Sequence, residues 1–192
     1  MSAQPTRVVL VPGVLALLPE YAGIEDPVAE LRAACLAAVS WLGSSDVTVL
    51  GDAQGVRVGE SLLEVALAST RSLALAAQPP AVGANYLVVG NGSAKRTEKA
   101  PGHLDERAEA FDAALGESLR SGRPEVDAAL ARELWASVDG ISDFPRLSSI
   151  SRAQVDYEDT PYGVQYWVMR FQGSPTSRLS PREAPLNVDS VG

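Results

Sequence analysis

Short apolar runs alternate with helical stripes along most of the chain. Val8-Val9-Leu10-Val11 is uniformly apolar and stops at Pro12-Gly13, the pattern of a strand buried on both faces. Residues 12–24 read as a loop. Asp26-Pro27 has the chemistry of an N-cap and first helical residue, and Val28, Leu31, Cys35, Ala38 and Leu42 stripe one face as far as Gly43. Cys35 on that stripe reads as a small core residue. Val47-Thr48-Val49-Leu50 predicts a second strand, and residues 51–55 a turn-rich loop. Ser61 and Glu64 have capping-box spacing, so a helix is expected from Ser61, with Leu62, Ala66, Leu73 and Ala77 on one face and Pro79-Pro80 as its stop. Tyr86-Leu87-Val88-Val89 predicts the third strand.

Leu104, Ala108, Phe111, Leu115 and Leu119 recur at steps of four and three, which predicts a helix over 104–119. Ser121-Gly122-Arg123-Pro124 breaks it. Val126, Leu130 and Leu134 stripe a further helix, with Gly140 as its end. Residues 141–150 carry no decisive period. Residues 155–157 and 164–171 predict two strands around the turn Asp159-Thr160-Pro161-Tyr162-Gly163. In the second, Val164, Tyr166 and Val168 alternate with Trp167, Met169 and Phe171, so both faces are apolar and the strand is expected inside a sheet. Strands alternating with helices indicate an α/β fold: a three-layer sandwich with a central, mostly parallel sheet flanked by helices. The expected division is one domain over 1–171 and a Pro/Ser/Arg-rich tail over 172–192, where no period survives.

Composition narrows the function. The net charge is −8, with 16 Lys and Arg against 24 Asp and Glu, so an acidic surface argues against nucleic acid. One cysteine excludes an internal disulfide. No apolar run approaches membrane-spanning length and the N-terminal residues lack a signal-peptide pattern, so a cytoplasmic protein without a membrane partner is expected.

Ligands of open parallel sheets bind outside the carboxyl ends of the strands. The loops expected there cover residues 12–23, 51–55 and 90–102. The third holds Lys95, Lys99 and Arg96, and the single histidine, His103, directly follows it. Gly90 and Gly92 are expected to let backbone approach a ligand. GNGSAK is neither a Walker loop nor a dinucleotide fingerprint, because Gly-Lys-Ser/Thr and the third glycine are missing. The positive groups instead suggest a small, anionic molecule held by Asn91, Ser93, Lys95 and Arg96. Ser93, His103 and Asp105 have the residue types for acyl transfer, without the Gly-x-Ser-x-Gly frame. The catalytic candidates are His103, Asp52 and Ser93. The carboxylates Asp52, Asp105, Glu106, Asp156, Glu158 and Asp159 are scattered, and no spacing selects a pair.

The stretch GNGSAKRTEKAPGHLDERAEAFDAAL, together with DTPYGVQYWVMRF, resembles the actinobacterial branch of proteins similar to the catalytic LigB subunit of class III extradiol ring-cleavage dioxygenases. VVLVPGVLALLPEYAG near the start is similar to that branch as well. The resemblance covers about residues 7–171. It implies an α/β sandwich, non-haem Fe(II), and opening of catechol rings with O₂. Active members hold iron with two histidines and a glutamate and use a further histidine as acid/base. One histidine cannot supply that set, so the expectation is a LigB-like domain with no metal site and no cofactor. Two alternatives stand beside it. One is a dioxygenase-like oxidoreductase with an atypical metal site built from His103 and Asp52 or Asp156. The other is a self-associating module, a homo-oligomer formed through the apolar C-terminal strands.

Overall fold

The computed structural model describes residues 5–23, 26–43, 46–73 and 85–175. The expected Ala77 and Pro79-Pro80 positions, and the tail from 176 onward, lie outside the described residues. Among the described residues six strands form one sheet: β1 (Thr6–Val11), β2 (Val47–Leu50), β3 (Asn85–Val89), β4 (Leu147–Ile150), β5 (Gln154–Asp159) and β6 (Tyr166–Pro175). Among them, too, five α-helices accompany the sheet: α1 (Ala29–Leu42), α2 (Ala53–Leu73), α3 (Arg107–Arg120), α4 (Ala128–Glu133) and α5 (Asp139–Ser142).

The sheet order is β2-β3-β1-β6-β4, with β5 also on β6. β2, β3 and β1 are parallel, as the alternation of strands and helices requires. β6 runs antiparallel to β1, placing Val8 opposite Phe171 and Leu10 opposite Met169. β5 and β4 add antiparallel pairings along the other edge of β6, so the sheet as a whole is mixed.

The two-sided apolar strands divide the interior into two cores. Val9, Val11, Leu87, Val89 and Val168 face α1 and α2, where they meet Leu31, Cys35, Leu42, Val58 and Leu62. Val8, Leu10, Val88, Trp167, Met169 and Phe171 face the opposite layer and meet Phe111, Leu115, Leu119, Leu134 and Ile141. Alternation along each strand thus makes the three layers. Cys35 is fully buried, and burial pushes its thiol far above the usual range.

α1 ends at Gly43, whose φ of 63° is the left-handed cap glycine favours. α1 starts at Ala29 with Val28 as its N-cap and no side-chain cap, so Asp26 and Pro27, expected as N-cap and first helical residue, lie in the turn before it, where Asp26 accepts the Val28 amide at 3.0 Å. Four further expectations change. α2 starts at Ala53 rather than Ser61, because the Asp52 carboxylate accepts the Gly55 amide at 2.7 Å and caps the helix there. Of the expected loop 51–55, Gly51 and Asp52 precede the helix, and Ala53, Gln54 and Gly55 lie inside it. α3 begins at Arg107, which leaves Leu104 48% exposed outside the apolar stripe. The helix expected over 126–140 is two short ones, separated at Trp135, whose φ is 57°. β6 continues to Pro175, past the expected boundary at 171, because Ile150 and Ser149 of β4 pair with Gly173 and Ser174.

Gly140 therefore does not end a helix but lets α5 dock on the strand ends. A Cβ there would sit 2.3 Å from the Leu50 carbonyl oxygen and 2.4 Å from that of Val89. Both contacts are backbone, so no rotamer change relieves them. Gly140→Ala should lower unfolding stability by about 1–3 kcal/mol, measured by urea denaturation. An unchanged midpoint would show that α5 is not seated on β2 and β3.

Candidate functional site

The segment between β3 and α3, residues 90–106, folds over the carboxyl ends of the parallel strands and is stitched to three other parts of the chain. The Gly90 amide donates to the Val11 carbonyl at 2.9 Å, Asn91 to Ser137 at 2.9 Å, and Gly92 to Gln165 at 2.9 Å. Ala94 donates to the Leu134 carbonyl at 3.1 Å and Arg96 to that of Gly163 at 3.1 Å. The expected close approach of Gly90 and Gly92 is therefore to the chain itself. A Cβ on Gly90 would lie 2.7 Å from the Ser137 carbonyl, and one on Gly92 would lie 2.4 Å from Asp112 Oδ1.

Asp112 sits at the root of the segment. It projects from α3 and is 2% exposed. Its Oδ1 accepts the Ser93 amide at 2.7 Å, and its Oδ2 pairs with Arg96 Nη1 at 3.3 Å. Burial pushes its carboxyl up to about 6, against the opposing pull of the Ser93 amide and the Arg96 guanidinium. The sequence already held a signal for this residue. Asp112 is four residues after Ala108 and three before Leu115, so it falls on the buried stripe of the helix.

The candidate residues have different surroundings. Ser93 is fully buried, its hydroxyl donating to the Leu134 carbonyl at 3.1 Å and accepting the Lys95 amide at 3.0 Å. Both of its hydrogen-bonding roles are thus filled by backbone. His103 is exposed, with Nδ1 3.4 Å from the Glu98 carbonyl oxygen. Asp105 pairs with Arg107 at 2.8 Å, and the hydrogen bonds from Arg107 hold its carboxyl down at about 2. Ser93, His103 and Asp105 therefore do not form the linked donor–acceptor chain of an acyl-transfer site. Arg96 is held inward by Asp112. Asn91 donates to the Gly92 carbonyl at 3.1 Å. Lys95 is half-buried, its aliphatic chain lying against Gly102 and its Nζ 5.4 Å from the centroid of the Trp135 ring. Trp135 is 58% exposed, a feature without a signature in the helical stripe.

Asp52, besides capping α2, accepts the Ser137 hydroxyl at 3.0 Å. Asp156 belongs to β5 and forms a two-pronged pair with Arg170 at 2.6 and 2.7 Å. Glu158 binds Arg120 at 2.6 Å and accepts the Trp167 indole at 3.2 Å. The residues considered for an iron site, His103 with Asp52 or Asp156, are thus engaged separately and do not fit Fe(II). Among the described residues no group of three or more His, Cys, Asp or Glu side chains could hold a metal ion. Among them, too, no helix is long and apolar enough to cross a membrane. No protein-family model matches the chain, and neither the curated proteins nor the solved structures contain a match to it.

The buried carboxylate gives the segment a pH signature. Its carboxyl rises from 3.8 to about 6 on folding, so the folded protein binds the proton more tightly. This contribution is full below pH 3.8 and is lost as pH rises through 6, a change of about 3 kcal/mol. Asp112→Asn removes it. Urea unfolding of both proteins at pH 4 and pH 7 should show the variant gaining on the native chain by about that amount. A difference independent of pH would contradict a desolvated Asp112.

Proposed function

We propose that the protein is a cytoplasmic LigB-like domain without the iron site, and that it binds a small anionic molecule on the outer side of residues 90–106. The observation that carries this reading is the Lys95 ammonium held over the exposed face of Trp135 beside the strand carboxyl ends. An aromatic face next to a fixed cation suits a planar or compact anion: the ring supplies contact area and the lysine supplies charge. The motif resemblance around residues 90–115 and 159–171 supports the family part of the reading. Within the site, Lys95 and Trp135 contact the ligand, with Asn91 beside them. Ser93 and Arg96 shape the segment from within.

A second reading, self-association, is favoured by three exposed large apolar side chains bordering the same segment: Leu104 (48%), Trp135 (58%) and Tyr162 (65%). Tyr162 is placed there by its neighbour Gly163, which accepts the Arg96 amide. Sedimentation as a dimer that Trp135→Ala disperses would replace ligand binding with this reading.

The test of the first reading is titration with benzoate and with inorganic phosphate, followed by NMR shifts at Lys95 and the Trp135 indole. Lys95→Ala should weaken the anion by about tenfold or more and leave stability within about 0.5 kcal/mol. Arg96→Ala should behave differently, lowering stability by about 1–3 kcal/mol, because it strips a buried carboxylate of its partner. Saturable shifts that persist unchanged in Lys95→Ala would move the site elsewhere.

A further inference from the structure

A cavity of about 370 Å³ opens on the α3–α5 side of the sheet, between the turn after α3, the residues following α5, and β4. Its volume lies within the range of small-molecule sites. Asn91, Ser93, Lys95 and Arg96 take no part in its lining. Its floor is apolar. Ile141 is fully buried in the second core, and Phe144, Leu147 and Ile150 are half-buried against that core. Phe144 is fixed edge-on to Phe171, with ring centroids 5.1 Å apart. The floor is therefore part of a packed layer.

The mouth is charged, and two arginines, Arg123 and Arg146, reach it. The base of Arg123 is fixed by the turn that follows α3. Gly122 takes a φ of 75°, and the Arg123 amide donates to the Ser118 carbonyl at 3.3 Å and to the Ser121 hydroxyl at 3.2 Å. Among the described residues the Arg123 guanidinium makes no hydrogen bond or ion pair. Elsewhere this acidic chain gives Arg32, Arg57, Arg96, Arg107, Arg120 and Arg170 a carboxylate each. Glu125 also lines the mouth and opposes the two arginines.

We infer that this cavity is a binding site for an amphipathic monoanion, a molecule with an apolar body of modest length and a single carboxylate or similar head. The body lies on Phe144, Leu147 and Ile150, and the head meets the planar fork of Arg123. Glu125 weakens the head's binding by like charge, which favours a singly charged head over a doubly charged one. The site is separate from the strand-end site and does not depend on it.

Octanoate and its neutral counterpart octanol are the probes, titrated against the full chain by calorimetry. One octanoate should bind per chain. Arg123→Ala should weaken octanoate by about tenfold or more while changing octanol less than about twofold. Glu125→Gln should tighten octanoate, because it removes the opposing charge. Lys95→Ala should leave octanoate binding unchanged, which separates this site from the other. Arg123 is exposed and its guanidinium makes no hydrogen bond or ion pair among the described residues, so its variant should keep the native unfolding midpoint. Absent saturable binding of octanoate, an Arg123→Ala variant equal to the native chain, or a loss in Lys95→Ala would each overturn the assignment.

Discussion

The buried Asp112 carboxylate is the constraint on which the strand-end architecture depends. A carboxylate 2% exposed inside an apolar layer needs donors, and the chain supplies two from the same segment, the Ser93 amide and the Arg96 guanidinium. Gly92 must be glycine because the carboxylate lies where its side chain would go. Once Ser93 is pinned, its hydroxyl bridges the Leu134 carbonyl and the Lys95 amide. That fixes the direction in which Lys95 leaves the segment, toward Trp135. One desolvated charge on α3 thus orders a run of chain that has little regular structure of its own.

The same arrangement explains how the carboxyl ends of the strands are covered. α5 docks through Gly140 onto the last carbonyls of β2 and β3, and Asn91 forms a bridge with Ser137. Asp52 ties the start of α2 to Ser137 from the other side. The chain fills much of the crevice that open parallel sheets leave beyond their strands. Contact with a ligand is displaced outward, onto Trp135 and Lys95. Backbone in uncommon conformations gathers around this rim: His103, Trp135 and Tyr162 have φ values of 57°, 57° and 59°. Bulky residues in that region carry strain, which the surrounding contacts hold in place.

The sequence made the layers legible where a single period dominated. The apolar runs at Val8–Val11 and Tyr86–Val89 located β1 and β3, and the two-faced alternation of residues 164–171 located a strand inside the sheet, which begins two residues later at Tyr166. α3 was legible from its stripe, and the β5–β6 connection from its turn residues. What escaped was decided by tertiary contact. Gly55 and its neighbours signal a turn locally, yet the Asp52 cap carries the helix through them. Gly140 resembles a helix stop, and its actual role is visible only once two strand carbonyls lie against it. The candidate site divided along the same line. Lys95 and Arg96 were found by charge, but which one turns inward is decided by Asp112, 16 residues beyond Arg96.

The most direct test of this account is amide hydrogen exchange at Ser93. Its N–H donates to a buried carboxylate at the root of the segment. If Asp112 anchors these residues, the Ser93 amide should exchange at neutral pH as slowly as those of β1 and β3, opening only with global unfolding. Exchange at the rate of an exposed loop amide would show that the anchor does not hold, and the account of the strand-end site would fail with it.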